Sequence, residues 1–252
     1  MLENFTVELA FNFMLIFARL GTAFAYFPAI GSHYIFVRAR LIFALFVSII
    51  IAPMVIPYLP KYSSSFALNI GYLAIEMLIG VIISLAANIY FQTIHFVGQI
   101  LSLQSSLGTA AFFDPTQRLQ VTLFSNFMIL ITIVFIFASD VHYLFIKTVV
   151  ESYAKFPPGE LIDAGDISKF VSFVINDSFI LSFKISSPFL IVSLAILTGS
   201  GILSRLMPNL QVFFVITPAQ ILVMFIILYI VINAIITKIV TAITNGLSPL
   251  AF

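Results

Sequence analysis

Three sets of side chains in this sequence are of types that can do chemistry. Ser200 lies between Gly199 and Gly201 in an apolar run, the setting of a buried nucleophile. A serine hydroxyl needs a histidine base within hydrogen-bond reach, and His33, His95 and His142 all lie far upstream. Small residues at a tight helix end explain that tripeptide better. Three scattered histidines and no cysteine make a poor metal site, and cysteine chemistry is excluded. No phosphate-binding glycine loop, His-Glu-x-x-His pair or paired-carboxylate signature is present. The expectation is no enzyme and no cofactor.

The second set is charge inside apolar sequence: Arg19, Glu76 and Asp140. A mid-membrane charge costs roughly 2.5–3.5 kcal/mol on insertion scales, so it faces a partner or a wet cavity. For Arg19 and Glu76 buried pairing and an aqueous path both stand open. Asp140 suits snorkelling from a helix end. The third set is a stripe: Ser84, Asn88, Gln92, His95, Gln99, Ser102 and Ser106 recur at steps of three and four residues. That spacing puts them on one face of a helix whose other faces are apolar. Such a stripe packs on polar partners or lines water. A weaker stripe is Asn233, Thr237, Thr241 and Thr244.

The elements that must carry these residues are membrane helices. Of 252 residues 62% are hydrophobic and 8% charged, with mean hydropathy +1.18. A soluble domain carries about 25% charged residues. Net charge +1 gives no footprint for nucleic acid. The first eight residues hold two acids and no base; a signal peptide needs a basic leader, so an uncleaved start is expected. Six apolar segments near the ~20 residues of a span run over Leu9–Ile30, Leu41–Leu59, Phe66–Tyr90, Val121–Ile146, Phe179–Leu197 and Leu210–Lys238. Lipid leaves backbone groups no water, so each should be a helix. The fold class is all-α and polytopic, read as one domain over 1–252. Its N-terminal part is 1–146, a polar connection covers 147–178 (a solvated loop with a short helix), and 179–252 forms a C-terminal helical hairpin. Basic residues nearly balance across the two sides; an N-terminus inside is the orientation adopted.

One stretch breaks the pattern. Between two apolar segments, Ser105, Ser106, Gly108, Thr109, Ala110 and Ala111 lead to Phe112-Phe113 and then Asp114-Pro115. Proline lacks the helical N–H and pushes its predecessor out of the α region. Irregular backbone at membrane depth is tolerated only when buried in protein or facing a water-filled cavity. Residues 105–118 are therefore read as a re-entrant or plug-like loop.

Four ordered blocks resemble the FliR/SctT family of flagellar and virulence type III secretion export-gate proteins. They are Ala18-Arg19-Leu20 through Phe27-Pro28-Ala29-Ile30, with Val37-Arg38-Ala39-Arg40-Leu41 and Ile51-Ala52-Pro53; Leu78-Ile79-Gly80 through Gly98-Gln99 and Leu103-Gln104 to Phe113-Asp114-Pro115; Val141-His142-Tyr143-Leu144; and Gly201 through Arg205, Pro208 and Leu210, with Val215-Ile216-Thr217-Pro218 beyond. Ser106 and Val141 depart from the pattern, standing where the family commonly has glycine.

The resemblance implies a subunit of a helical export-gate assembly in the bacterial inner membrane, multi-pass, at the flagellar basal body. Its partners would be FliP/SctR-like and FliQ/SctS-like membrane subunits and an FlhB/SctU-like subunit, with unfolded proteins as cargo. The plug residues would be Ser106, Gly108, Phe112, Phe113, Asp114 and Pro115. Phe112 and Phe113 would close a dry constriction, Gly108–Ala111 would let the loop swing, and Arg118 would pair with an acid. Ordinary helix packing is the alternative for the two phenylalanines. Asn88, Gln92, His95, Gln99 and Ser102 would face the lumen or neighbouring subunits, and His142, Arg205 and Pro208 would be structural. A proton role for Glu76 or His95 is a further reading. The rivals are a self-contained secondary transporter, which calls for similarly interrupted helices in two halves, and an intramembrane protease that depends on Ser200. The rhomboid order, with its histidine in a later helix, is not met.

Overall fold

Lipid gives backbone groups no water to bond, and the chain answers with helices. The computed structural model describes residues 2–28, 30–31, 35–60, 62–63, 65–105, 123–159, 163–208 and 211–251. These form α1 (Leu2–Tyr26), α2 (Val37–Val55) with a 3-10 turn at Ile56–Tyr58, α3 (Phe66–Gln104), α4 (Leu123–Ala138), α5 (Val141–Lys155), α6 (Ala164–Leu206) and α7 (Val212–Ala251). Among the described residues there is no strand. Five helices are long and apolar enough to span, and the bent pair α4–α5 makes a sixth candidate. The chain is a polytopic all-α membrane protein.

Helix lengths depart from the apolar segments. α3 continues fourteen residues past Tyr90, and α6 takes in the whole fifth segment and extends beyond it at both ends. At 1.5 Å per residue, helices of 39, 43 and 40 residues exceed the ~30 Å hydrocarbon core. Hydropathy marks bilayer thickness, not where a helix stops. The stretch expected as a polar loop is also largely helical: α5 runs to Lys155 and α6 starts at Ala164. An i,i+4 pair of Lys147 and Glu151 at 3.5 Å supports the first. Asp163 caps the second, its Oδ1 accepting from the Gly165 N–H at 2.9 Å. Gly159, at φ 96°, turns the chain between them. Gly199-Ser200-Gly201 lies inside α6, not at its end, because helical bonding continues to Leu206.

The fourth segment is two helices that meet at 67°. Asp140 makes the corner at φ 56°, a left-handed conformation that aspartate tolerates better than most residues. Val141, next in line, is buried as the first residue of α5. The backbone freedom needed at this corner thus falls on Asp140, one residue before Val141.

The chain packs as two compact units. One comprises Met1–Tyr90, Ile136–Ile175 and Ala242–Phe252; the other Phe91–Phe135 and Asn176–Thr241. Their boundaries fall inside helices, so no linker composition announces them. In the first unit α2 lies on α1 through a narrow seam of Ala44, Ser48, Ile51 and Val55. Its other faces expose Ile42, Phe46, Ile50 and Met54, as a helix bordered by lipid or other subunits would. Phe27 stacks on Phe145 at 3.9 Å between centroids, with Phe24 beside them at 5.9 Å. In the second unit Phe96 packs on Phe179 and Phe183, and Phe124 on Phe225.

Candidate functional site

Two polar constructions stand out, one in each unit. In the first, Arg19 of α1 and Glu76 of α3 are both fully buried. Arg19 Nε donates to Glu76 Oε2 at 2.7 Å and Nη2 to Oε1 at 2.9 Å, a two-point fork. The same guanidinium donates from Nη1 to Ser152 Oγ at 3.0 Å and from Nη2 to the Phe156 carbonyl at 3.0 Å. Its Cζ sits 3.8 Å from the centroid of the Tyr153 ring, a cation–π contact in a desolvated site. Of the two readings left open by sequence, the structure shows the pair.

Local sequence explains how the helices come close enough. One turn after Glu76, a Cβ on Gly80 would collide with the Arg19 carbonyl and Thr22 Oγ1. Glycine lets α3 lie directly on the α1 backbone, and Thr22 folds its hydroxyl back onto Ala18 and Arg19 carbonyls. Both Glu76 oxygens are taken and four donor bonds leave Arg19. This cluster is a tie between helices. The α1 end is closed in the same manner: Arg40 donates to the Ala25 carbonyl at 3.1 Å and Asn88 to the Tyr26 carbonyl at 2.8 Å, satisfying carbonyls that a helix end leaves open.

In the second unit Thr93 and Gln104 of α3, both off the polar stripe, bond to α6 and α7. Thr93 Oγ1 donates to the Ser178 carbonyl at 3.4 Å. Ser193 Oγ donates to Gln104 Oε1 at 2.5 Å, and Gln220 Nε2 of α7 reaches the Gln104 carbonyl. Later residues of α3 meet later residues of α6, so the two run parallel here. A Cβ on Gly98 would strike the Ser125 backbone, and Ser125 Oγ donates to the His95 carbonyl at 3.4 Å. α6 presents Ser178, Ser182, Ser186, Ser193 and Ser200, all buried, at steps of four and seven residues. The sequence held this seam in plain spacing, but hydroxyls scattered among Ile, Leu and Phe do not draw attention as amides do. Gln104, which lies off the α3 stripe, is a second residue sequence spacing missed.

The stripe itself divides. Ser84 is buried and bonds its own helix at Gly80 and Val81, and Asn88 serves the α1 end. His95 and Gln99 are half-buried, Gln92 is exposed, and Ser102 is buried with its carbonyl accepting from Ser105. His142 is half-buried in the first turn of α5 with its ring 5.4 Å from that of Phe137. Arg205 is exposed in the last turn of α6, and Pro208 lies two residues beyond its end, where a residue without an N–H stops a helix. Ser200 donates to the Leu197 carbonyl at 2.7 Å within its helix. Ser106, Gly108, Phe112, Phe113, Asp114, Pro115 and Arg118 lie outside the described residues.

Comparison with known sequences adds an independent line. The sequence model for bacterial export proteins, family 1, matches residues 10–246. The flagellar biosynthetic protein FliR of Caulobacter vibrioides is 30% identical over 208 residues, covering 82% of this chain and 83% of the relative. That of Bacillus subtilis is 24% identical over 229 residues, 88% of this chain and 86% of the relative. That of Aquifex aeolicus is 27% identical over 221 residues, with 87% and 83% covered.

Proposed function

Because this chain belongs to family 1 of the bacterial export proteins, we propose that it is a flagellar export-gate subunit that performs no chemistry of its own. The observation that carries this is the family match across residues 10–246 of a chain with five to six candidate spans. Relatives similar over most of their length bear the name flagellar biosynthetic protein FliR, which favours the flagellar over the virulence system. The membrane is the bacterial inner membrane, at the basal body. The partners are FliP-like, FliQ-like and FlhB-like membrane subunits, and the cargo is unfolded protein.

In this proposal residues 105–118 close the export path. Phe112 and Phe113 fill a dry constriction, small residues Gly108–Ala111 let the loop move when cargo arrives, and Asp114-Pro115 anchors its end. Asn88, Gln92, His95, Gln99 and Ser102 work as packing polar groups or lumen lining.

The test removes Ser106–Phe113 from the chain in its own host. A native gel first verifies assembly; then small-ion leakage across the inner membrane and secretion of filament subunits are followed. Leakage from an intact complex supports the plug. An intact complex that does not leak refutes it and moves the gate to the partners. Loss of secretion on deleting the whole chain tests the export role separately.

A further inference from the structure

The short connection between α5 and α6 is held at three points in four residues. The Phe156 carbonyl accepts from Arg19 at 3.0 Å. Pro158 is buried. Gly159, at φ 96°, rests on the Tyr72 ring so closely that a Cβ there would lie 3.0 Å from it. Tyr72 and Glu76 are one turn apart on α3, so both anchors sit on the same face of one helix. Proline-proline-glycine is stiff at its first two positions and free only at the third. Phe156 also closes α5, its N–H donating to the Ser152 carbonyl at 2.8 Å, and Ser152 Oγ accepts from Arg19.

We propose that Arg19 and Tyr72 form a single latch that straps the Phe156–Gly159 turn to α3. Arg19 is then a positioning residue with two duties. Its pairing with Glu76 joins α1 to α3, and its remaining N–H groups fix the end of α5. The latch sets where the polar opening of α6, with Asp163, Asp166 and Lys169, is presented. Charge alone does not do this. A lysine at position 19 keeps the pair with Glu76 but has no planar fork to serve Glu76, Ser152 and the Phe156 carbonyl together.

The experiment is hydrogen–deuterium exchange on the full chain in its solubilised native complex, comparing wild type, Arg19→Lys, Tyr72→Ala and the double variant. In Arg19→Lys, amides over Tyr153–Gly159 should exchange about tenfold faster or more, while α1 and α2 stay within about twofold of wild type. Tyr72→Ala, which leaves the ion pair intact, should release the same stretch. It is also the readout if Arg19→Lys does not accumulate. The double variant should exchange no faster than the faster single one, since a latch opens once. Unchanged exchange in Arg19→Lys or in Tyr72→Ala overturns the proposal. So does acceleration spread equally over α1 and α2, or multiplicative effects in the double variant, which would mean two unrelated contacts.

Discussion

The two units of this chain join their helices by opposite means. In the first, one charged side chain donates four directed bonds to Glu76, Ser152 and the Phe156 carbonyl, and Arg19, Glu76, Ser152 and Tyr153 are all buried. In the second, serines, threonines and amides spread weak bonds along a seam, many of them folded back onto their own helix. Concentrated bonding is unforgiving, because a buried charge that loses its partner has no water to turn to. Distributed bonding tolerates the loss of any one member, because hydroxyls in membrane helices find other acceptors.

That contrast orders the expected effects, all readable by circular dichroism during detergent titration of the purified chain. Glu76→Ala should be the most damaging, by roughly 3–5 kcal/mol, because Arg19 stays buried without its countercharge. Arg19→Met with Glu76→Leu should recover most of that loss, since an apolar pair of similar volume needs no solvation; failure to recover would mean the bonds to Ser152 and Phe156 dominate. Gly80→Val and Gly98→Val should each cost about 1–3 kcal/mol or more, since the added carbons meet the Arg19 and Ser125 backbones, which cannot swing aside, as well as the Thr22 hydroxyl and Ser125 Cβ. Here the units should behave alike, and a marked difference would show one crossing to be looser. Ser193→Ala should cost about 0.6–1.7 kcal/mol, the range for hydrogen bonds between membrane helices. Ser186→Ala should be the mildest, within about 0.5 kcal/mol or stabilising, because its buried hydroxyl has no partner among the described residues. A large loss there would overturn the idea of a forgiving seam.

Sequence gave away the parts of this molecule that depend on solvent and hid those that depend on geometry. Apolar runs announced the spans, and Arg19 and Glu76 were conspicuous because charge is rare in such surroundings. That they meet each other was one of two open readings, and nothing in the sequence pointed to the Phe156 carbonyl, since every residue has one. The length of α3 is legible in spacing and not in hydropathy: past Tyr90 the apolar segment ends, but Gln92, His95, Gln99 and Ser102 keep the three- and four-residue steps of one helix face, and α3 runs on to Gln104. Asp140 shows a further limit. An aspartate at a helix end and an aspartate bending two helices by a left-handed turn are spelled identically.

The Arg19 clamp also sets an order of events during synthesis. Glu76 follows Arg19 by 57 residues and the Phe156 carbonyl follows it by 137. At about 5–20 residues per second, the arginine waits roughly 3–11 s for its countercharge and roughly 7–27 s for the end of α5. Throughout that interval α1 must enter or border the bilayer with a naked cation, held there by Phe, Leu and Ile alone. The nascent chain is thus committed to closing this corner in sequence, α3 before α5, and a ribosome that pauses between the two leaves the first helix half secured.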